Sequence, residues 1–301
     1  MINGIIIVDK EQGYTSHDVV AKMRGICKQK KIGHTGTLDP NATGVLPVCL
    51  GNATKLCDML TDYDKEYIAE FELGKTSDTQ DIWGNVTERI WKQELLSEDI
   101  VHDAITSMEG TQWQIPPMYS AKKVQGKKLY ELARAGVEVE RKPAKIHISS
   151  IEIVNMELPK VCIRVVCSKG TYIRTLCADI GEKLECGAVM TSLNRSKVGI
   201  FHQKQAYTLP QIQLLRDEDK LDEIVIPVER CFEQYDKVSV KPFAMKMLKN
   251  GNELPYKMLE NVPEKERCCI YGADGIFYGV FLNQSEKGTI KPWKMFFPEE
   301  G

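Results

Sequence analysis

Twelve residues constrain the fold of this chain more than any other stretch: Gly33-His34-Thr35-Gly36-Thr37-Leu38-Asp39-Pro40-Asn41-Ala42-Thr43-Gly44. The three glycines permit backbone conformations closed to other residues. Pro40 fixes its own φ and keeps Asp39 out of the helical region. The segment therefore reads as a loop between two patterned elements. Before it, Ser16 to Lys30 places Val19, Val20, Met23, Ile26 and Cys27 on one helical stripe, with Ser16 as the cap. After it, Val45 to Leu50 reads as an apolar strand closed by Gly51. A carboxylate on such a loop is exposed and oriented, as a nucleophile or base requires. An Asx-type turn, with Asp39 capping the backbone, explains the same residues equally well. The loop is neither a P-loop nor a Rossmann turn, because the glycine and lysine spacings of both are absent.

Elsewhere the pattern mixes strands and helices without regular alternation. Tyr67, Ala69, Phe71 and Leu73 share one face of a strand, and Ser97 to Met108 has helical spacing with Ser97 as its cap. Gln114 to Ser120 is extended around Pro116-Pro117, and Lys128 to Ala135 is a short helix. Lys145 to Asn155 and Val161 to Cys167 are strands, Tyr172 to Leu184 is a helix, and Leu209 to Glu223 is another. This order predicts an α+β fold with a mixed, largely antiparallel sheet. From about Asp236, short strands at Lys237–Val240, Cys268–Tyr271 and Gly275–Leu282 suggest a small β-rich second domain, in keeping with a length of 301 residues.

Lys and Arg number 40 and Asp and Glu 42, a net charge of −2 that taken alone argues against a nucleic-acid partner. The charge is segregated, however. Residues 55–110 hold five basic and fourteen acidic residues, whereas residues 111–159 hold eight and five and residues 160–205 eight and three. Lys22, Arg24, Lys28, Lys30 and Lys31 form one basic run, and Lys122, Lys123, Lys127, Lys128, Arg134, Arg141, Lys142 and Lys145 form another. One such run reads as a solvated face; two beside a glycine-rich loop point to a polyanion surface. The ten cysteines include no C-x-x-C pair and sit mostly among apolar neighbours, so the expectation is reduced, buried thiols in a reducing, cytoplasmic compartment. No run of about 18 apolar residues offers a membrane span. Ile5 to Val8 is too short for a signal-peptide core and reads as a first buried strand.

Two further segments bear on chemistry. In Cys167-Ser168-Lys169-Gly170-Thr171-Tyr172-Ile173-Arg174, a strand meets a helix and Arg174 falls in the first helical turn, where the helix dipole offers a cation nothing. It is either a surface arginine or one with a specific acidic partner, and Asp39 is the candidate. Tyr67, opening a strand after Asp64-Lys65-Glu66, is either core packing or a stacking face for a nucleobase.

Together with Gly4-Ile5-Ile6-Ile7-Val8-Asp9-Lys10, Pro116-Pro117-Met118-Tyr119-Ser120-Ala121, Gly126-Lys127-Lys128-Leu129-Tyr130 and Leu193-Asn194-Arg195, these segments resemble, in order and over about 200 residues, the TruB family of bacterial tRNA uridine-55 pseudouridine synthases. The resemblance implies that Asp39 is the catalytic aspartate, Arg174 its partner, and Tyr67 the tyrosine that stacks on the target base and is suspected in proton removal from C5. It implies that Leu193 packs on that base, that His34 fills the space left by the flipped nucleotide, and that Lys10 supports the loop. It implies a catalytic domain over residues 1–230 with an RNA-gripping insertion at about 115–148, contacting RNA through Lys122, Lys123, Lys127, Lys128 and Arg141. Residues 236–301 resemble the small RNA-binding β-domain called PUA. It further implies no cofactor and no metal, action on the tRNA T-arm without a protein partner, and a monomer. The basic residues of 22–31, 122–145 and 160–204 should then line one RNA-facing surface, with the acids of 55–110 mostly facing away. Glu11 departs from the family, which commonly has proline there, and Asp78 and Asp81 read as structural.

Three other readings compete. Leu38 to Thr43 resembles an aspartyl-phosphate phosphohydrolase motif, but Asn41 stands where a second aspartate would be needed. An RNA-binding or chaperone module could keep the fold without activity, although Asp39, Tyr67 and Arg174 together favour an enzyme. The catalytic subunit of a guide-RNA particle is the third; those relatives usually carry extra N-terminal sequence and lysine-rich tails.

Overall fold

The computed structural model describes residues 1–89, 96–120, 122–124 and 126–297, and for Lys123 and Lys128 the backbone alone. Ala121, in one of the motifs above, lies outside the described residues. The chain runs β1 (Gly4–Lys10), α1 (Ser16–Cys27), β2 (Ile32–His34), β3 (Thr43–Leu50), α2 (Cys57–Thr61) and β4 (Lys65–Leu73). A small hairpin of β5 (Lys75–Ser77) and β6 (Val86–Glu88) follows, then α3 (Glu98–Thr106) and β7 (Gly110–Gln114). A second hairpin, β8 (Lys123–Val124) and β9 (Lys127–Lys128), leads into α4 (Leu129–Arg134), β10 (Ala144–Glu157), β11 (Lys160–Cys167) and α5 (Ile173–Lys183). β12 (Ala188–Val198), β13 (Phe201–His202) and α6 (Leu209–Asp217) complete the larger part.

The main sheet has the order β1-β3-β12-β4-β11-β10-β7, with β2 on β3 and β13 on β12. Every pairing is antiparallel except the short one between β12 and β3, where Asn194 faces Thr43 and Arg195 faces Gly44. The expected α+β class with a largely antiparallel sheet is thus what the chain forms. The alternation read in β4 is real: Tyr67, Ala69, Phe71 and Leu73 are all buried, each contributing roughly 1.5–3 kcal/mol for a large side chain. They join Ile163, Val165 and Ile146 of the neighbouring strands and Leu176 and Ile180 of α5 in one core. Helices α1 and α6 cover one face of β1 and β3 in a second core of Val19, Met23, Leu46, Val48 and Ile212.

The C-terminal part is a separate five-stranded sheet, β14 (Asp236–Ser239), β16 (Arg267–Tyr271), β17 (Phe277–Gln284), β18 (Thr289–Met295) and β15 (Leu254–Pro255), with α7 (Met245–Lys249) beside it. Phe232, Val280 and Phe296 pack with Ile5, Val45 and Leu56 in a shared core. Lys55 Nζ donates to the Met295 carbonyl and Lys294 Nζ to that of Lys55, both at 2.8 Å. The second sheet therefore docks at the Leu50 end of β3.

Sequence and structure differ in several places, and β7, the β5–β6 hairpin and the central β12 are not among the elements expected above. Thr15, not Ser16, caps α1 in a reciprocal box with Asp18; Ser16 is buried and turned towards the loop. The stretch read as loop from Lys30 includes β2. The helix expected over 209–223 stops at Asp217, where three successive acids meet the negative end of the dipole. Strand β18 escaped notice because Pro292 interrupts it beside a register shift.

Candidate active site

The glycine-rich loop spans from β2 to β3 and is held from four sides. Ser16 Oγ accepts from Leu38 N at 2.9 Å. Lys10 Nζ, at the end of β1 and 1% exposed, donates to the carbonyls of Glu11, Tyr14 and Pro40 at 3.0, 2.7 and 3.0 Å. The Gly13 amide donates to the same Pro40 carbonyl at 2.9 Å. From β12, buried Arg195 donates through Nε to the Val45 carbonyl at 2.8 Å and through Nη2 to that of Gly36 at 3.3 Å. Gly44 is required by that approach: its φ is +100°, and a Cβ there would sit 2.4 Å from the Arg195 carbonyl oxygen. Gly33 serves packing instead, since a Cβ would meet Cys57 Sγ at 2.9 Å.

Asp39 emerges from this frame with its side chain 41% exposed, its Oδ2 2.9 Å from Arg174 Nε. Arg174 is 5% exposed and fully engaged: Nη1 donates to the Thr79 carbonyl and Nη2 to that of Tyr119, both at 2.8 Å, with Asp81 Oδ2 3.6 Å from Nη1. Three segments far apart in sequence thus fix the guanidinium, and the guanidinium fixes the carboxylate. Two acids of the 55–110 run come to this site rather than facing away: Asp62, 2.6 Å from the cleft-lining Lys169, and Asp81, which also accepts from Thr79 Oγ1 and the Trp83 amide, at 2.6 and 3.1 Å.

Asp39 and Arg174 open onto a cleft of about 300 Å³ that Tyr67, Leu193, Tyr172, Lys65, Lys122 and Lys169 also line. Asp39 is the one carboxylate among its lining residues. Tyr67 and Leu193 supply an apolar wall, each under 10% exposed. Burial pushes the Tyr67 phenol above its usual range, with the positive charge of Arg195 pulling the other way; the cleft therefore presents a neutral phenol ring at pH 7. Burial lowers Lys65 to about 8, while its Nζ donates to the carbonyls of Thr61 and Tyr63. Burial likewise lowers Lys10 to about 8, partly offset by Asp39.

The other candidate residues are placed differently. His34, at the end of β2, does not line the cleft: its Nδ1 accepts from the Gly36 amide at 3.3 Å and its ring meets His17 edge-on at 5.5 Å. Burial holds it below the usual histidine range, so it is neutral at pH 7. Lys122 lines the cleft and Lys127 is exposed on the hairpin; the side chains of Lys123 and Lys128 lie outside the described residues. Arg141 is turned inward, its Nη1 donating to the Pro116 carbonyl at 3.2 Å and its Nη2 3.6 Å from Glu138. The 22–31 run does not join this surface. Ile32 pairs with Leu50 while Lys10 pairs with Gly44, which puts Lys28, Lys30 and Lys31 at the far end of β3, about 20 Å away at ~3.3 Å per residue, whereas Lys22 lies over the Tyr14 ring, nearer the loop. The expected single basic surface is corrected accordingly: helix α1 carries its C-terminal lysines away from the loop that its N-terminus supports.

Of the other residues that build the site, the sequence offers Arg195 only within Leu193-Asn194-Arg195 and Asp81 only as structural, and no local pattern marks Tyr172. Among the described residues no group of three or more His, Cys, Asp or Glu could hold a metal ion, and no helix is long and apolar enough to cross a membrane.

Residues 24–173 match the family described as TruB family pseudouridylate synthase, N-terminal domain, and residues 174–233 match the tRNA pseudouridylate synthase B C-terminal domain. A curated tRNA pseudouridine synthase B from Lachnoclostridium phytofermentans is 46% identical across 98% of this chain and 100% of its own. The protein of the same name from Clostridium acetobutylicum is 44% identical across 95% and 97%. Among solved structures, a chain of a Cbf5-Nop10-Gar1 complex superposes with a TM-score of 0.73 at 27% identity, over 99% of this chain and 86% of that one.

Proposed function

The chain belongs to the TruB family of pseudouridine synthases and isomerises uridine in tRNA, and from that premise we propose that its target is uridine 55 of the T-arm, with Asp39 as the catalytic residue. The reaction breaks the N1–C1′ glycosidic bond, turns the base, joins C5 to C1′, and moves the C5 proton off the base while N1 gains one. A base stacked in a folded loop cannot turn, so it leaves the stack at a cost of a few kcal/mol. The observation that carries this reading is the pairing of an exposed Asp39 with an immobile Arg174 at the mouth of a cleft whose wall is Tyr67 and Leu193.

In this reading Tyr67 stacks on the flipped uracil and Leu193 packs against it. Arg174 and Lys10 are positioning residues: one orients the carboxylate and the other anchors the carbonyl of the residue after it. Asp39 initiates the exchange at C6 of the base or at C1′. His34 moves from its contact with His17 into the gap in the RNA stack. The catalytic part is residues 1–230, with the insertion at 115–148 gripping the T-arm through Lys122, Lys123, Lys127 and Lys128, and residues 236–301 are an RNA-binding domain of PUA type. The enzyme works as a monomer in the cytoplasm, with no cofactor, guide RNA or protein partner. The curated relatives at 44–46% identity favour this over a guide-directed subunit, whose solved complexes are less similar at 25–27%.

Incubation with unmodified tRNA transcript, followed by mapping of pseudouridine, tests the reading. The expected product is pseudouridine at position 55 alone, formed without added factors. Asp39→Asn should lower the rate by about 10⁴-fold or more while leaving tRNA binding intact. Pseudouridine elsewhere, or a fully active variant, would overturn the assignment.

A further inference from the structure

The basic run displaced from the cleft lines a cavity of its own. About 810 Å³ in volume, it lies between the C-terminal end of α1, the residues preceding β1 and the end of α6, with Lys28, Lys30, Lys31 and Arg216 on its wall. Asp222 is the one carboxylate among its lining residues. Arg216 is 3.8 Å from the exposed Asp219, whereas Lys28, Lys30 and Lys31 have no acidic partner among the described residues. The backbone beneath them is pinned. Gln29 accepts from Ile2 N at 2.9 Å and donates to the Ile2 carbonyl at 3.1 Å, and the Gly51 amide donates to the Lys31 carbonyl at 2.8 Å. Lys28 closes α1 in a left-handed conformation, φ +50°, which turns the chain sharply into the run. Three unneutralised ammonium groups held together on a fixed turn repel one another, and they gain most when a polyanion replaces their counterions.

We propose that this cavity binds backbone phosphates of the substrate tRNA outside the T-arm. This rests on the reading of the chain as a tRNA-modifying enzyme. The geometry selects the part of the RNA. The insertion that grips the T-arm hangs from β7 and β10 at one edge of the sheet, and the cavity lies by β1 at the other. Six strand spacings of ~4.8 Å separate those edges, about 29 Å, and the cavity also lies some 20 Å along β3 from Asp39. The cavity is thus set apart from the cleft that Lys122 and Asp39 share, towards RNA beyond a stem-loop seated there. The C-terminal sheet docks near this end of β3 but on the other face of the sheet, against Ile5, Val45 and Cys49, so the cavity is a contact separate from that domain.

The test compares two substrates, a full-length tRNA transcript and a T-arm stem-loop, with the wild-type chain and with Lys28→Glu/Lys30→Glu/Lys31→Glu. The expected result is a fall of about tenfold or more in kcat/KM on the full-length transcript at ~0.1 M salt, with the stem-loop changed by less than about twofold. The slope of log affinity against log salt for the full-length RNA should shrink by about 2 to 3. Unchanged turnover of the stem-loop also shows that the variant is folded. Equal losses on both substrates, or no loss on either, overturn the proposal. If the wild-type chain modified neither RNA, the functional reading itself would fail, a separate outcome visible before any variant is made.

Discussion

Arg174 and Lys122 line the same cleft, yet they stand in opposite relations to the protein. Arg174 commits its guanidinium to Asp39, Asp81 and two carbonyls and is almost wholly buried. Lys122, and Lys127 on the hairpin beside it, are exposed and have no partner among the described residues. A buried cation with all three nitrogens engaged holds other groups still; an exposed cation with none engaged is available to a partner from outside. Position relative to the core, rather than charge, separates the groups that build the site from those that meet the RNA.

The strongest way to break that comparison is Arg174→Lys. One ammonium cannot reproduce a planar fork that serves three segments at once, and the Thr79 and Tyr119 carbonyls compete with Asp39 for it. The rate of pseudouridine formation should fall by about 10²-fold or more under single turnover, with tRNA affinity unchanged. A loss of affinity at undiminished rate would move Arg174 into the class of Lys122.

Lys10 sharpens it next. Its folded-state value of about 8 lies below the 10.5 of a free lysine because burial disfavours the charge. Between those values the unfolded chain holds the proton and the folded chain does not, so this group's contribution to stability rises with pH from about 8 to 10.5 and is a constant cost below 8. Activity should run the other way. Loss of the proton weakens the grip on the Pro40 carbonyl, so the rate should decline about tenfold per pH unit above 8 while thermal stability holds. Lys65 is lowered to a similar value, which makes it the control. Lys10→Arg, whose side chain stays charged, should carry the alkaline limb upward, and Lys65→Arg should leave it in place. The reverse pattern would take Lys10 out of the loop's support.

What could be read beforehand divides along the same line. The loop, β4 and the Arg174 turn were legible because each announces itself locally, through glycine and proline spacing, period-two alternation, or a cation at the wrong end of a helix. The union of Thr79, Asp81 and Tyr119 around Arg174 was not, because it depends on three loops converging across the ends of β11 and β5. The fate of the 22–31 run was equally hidden. A charge run records that residues are solvated, and only the course of α1, from Ser16 under the loop to Cys27 at the far end, decides which way they face.

Arg141 gives the comparison its finest test, because sequence places it with Lys122 and Lys127 whereas its contacts place it with Arg174. Held by the Pro116 carbonyl and beside Glu138, it shapes the base of the insertion. Lys122→Ala/Lys127→Ala should raise KM for tRNA about tenfold, leave kcat unchanged, and reduce the salt slope by roughly 1.5 to 2, as expected for two lost phosphate contacts. Arg141→Ala should leave the salt slope alone and instead cost about 1 kcal/mol of stability, the worth of one hydrogen bond to a carbonyl. Its effect on KM would then come through a loosened insertion and be equal at low and high salt. If the slope instead falls by a further unit, Arg141 leaves Pro116 to meet a phosphate when RNA arrives, and the division between holding and gripping cations is made by the substrate rather than by the fold.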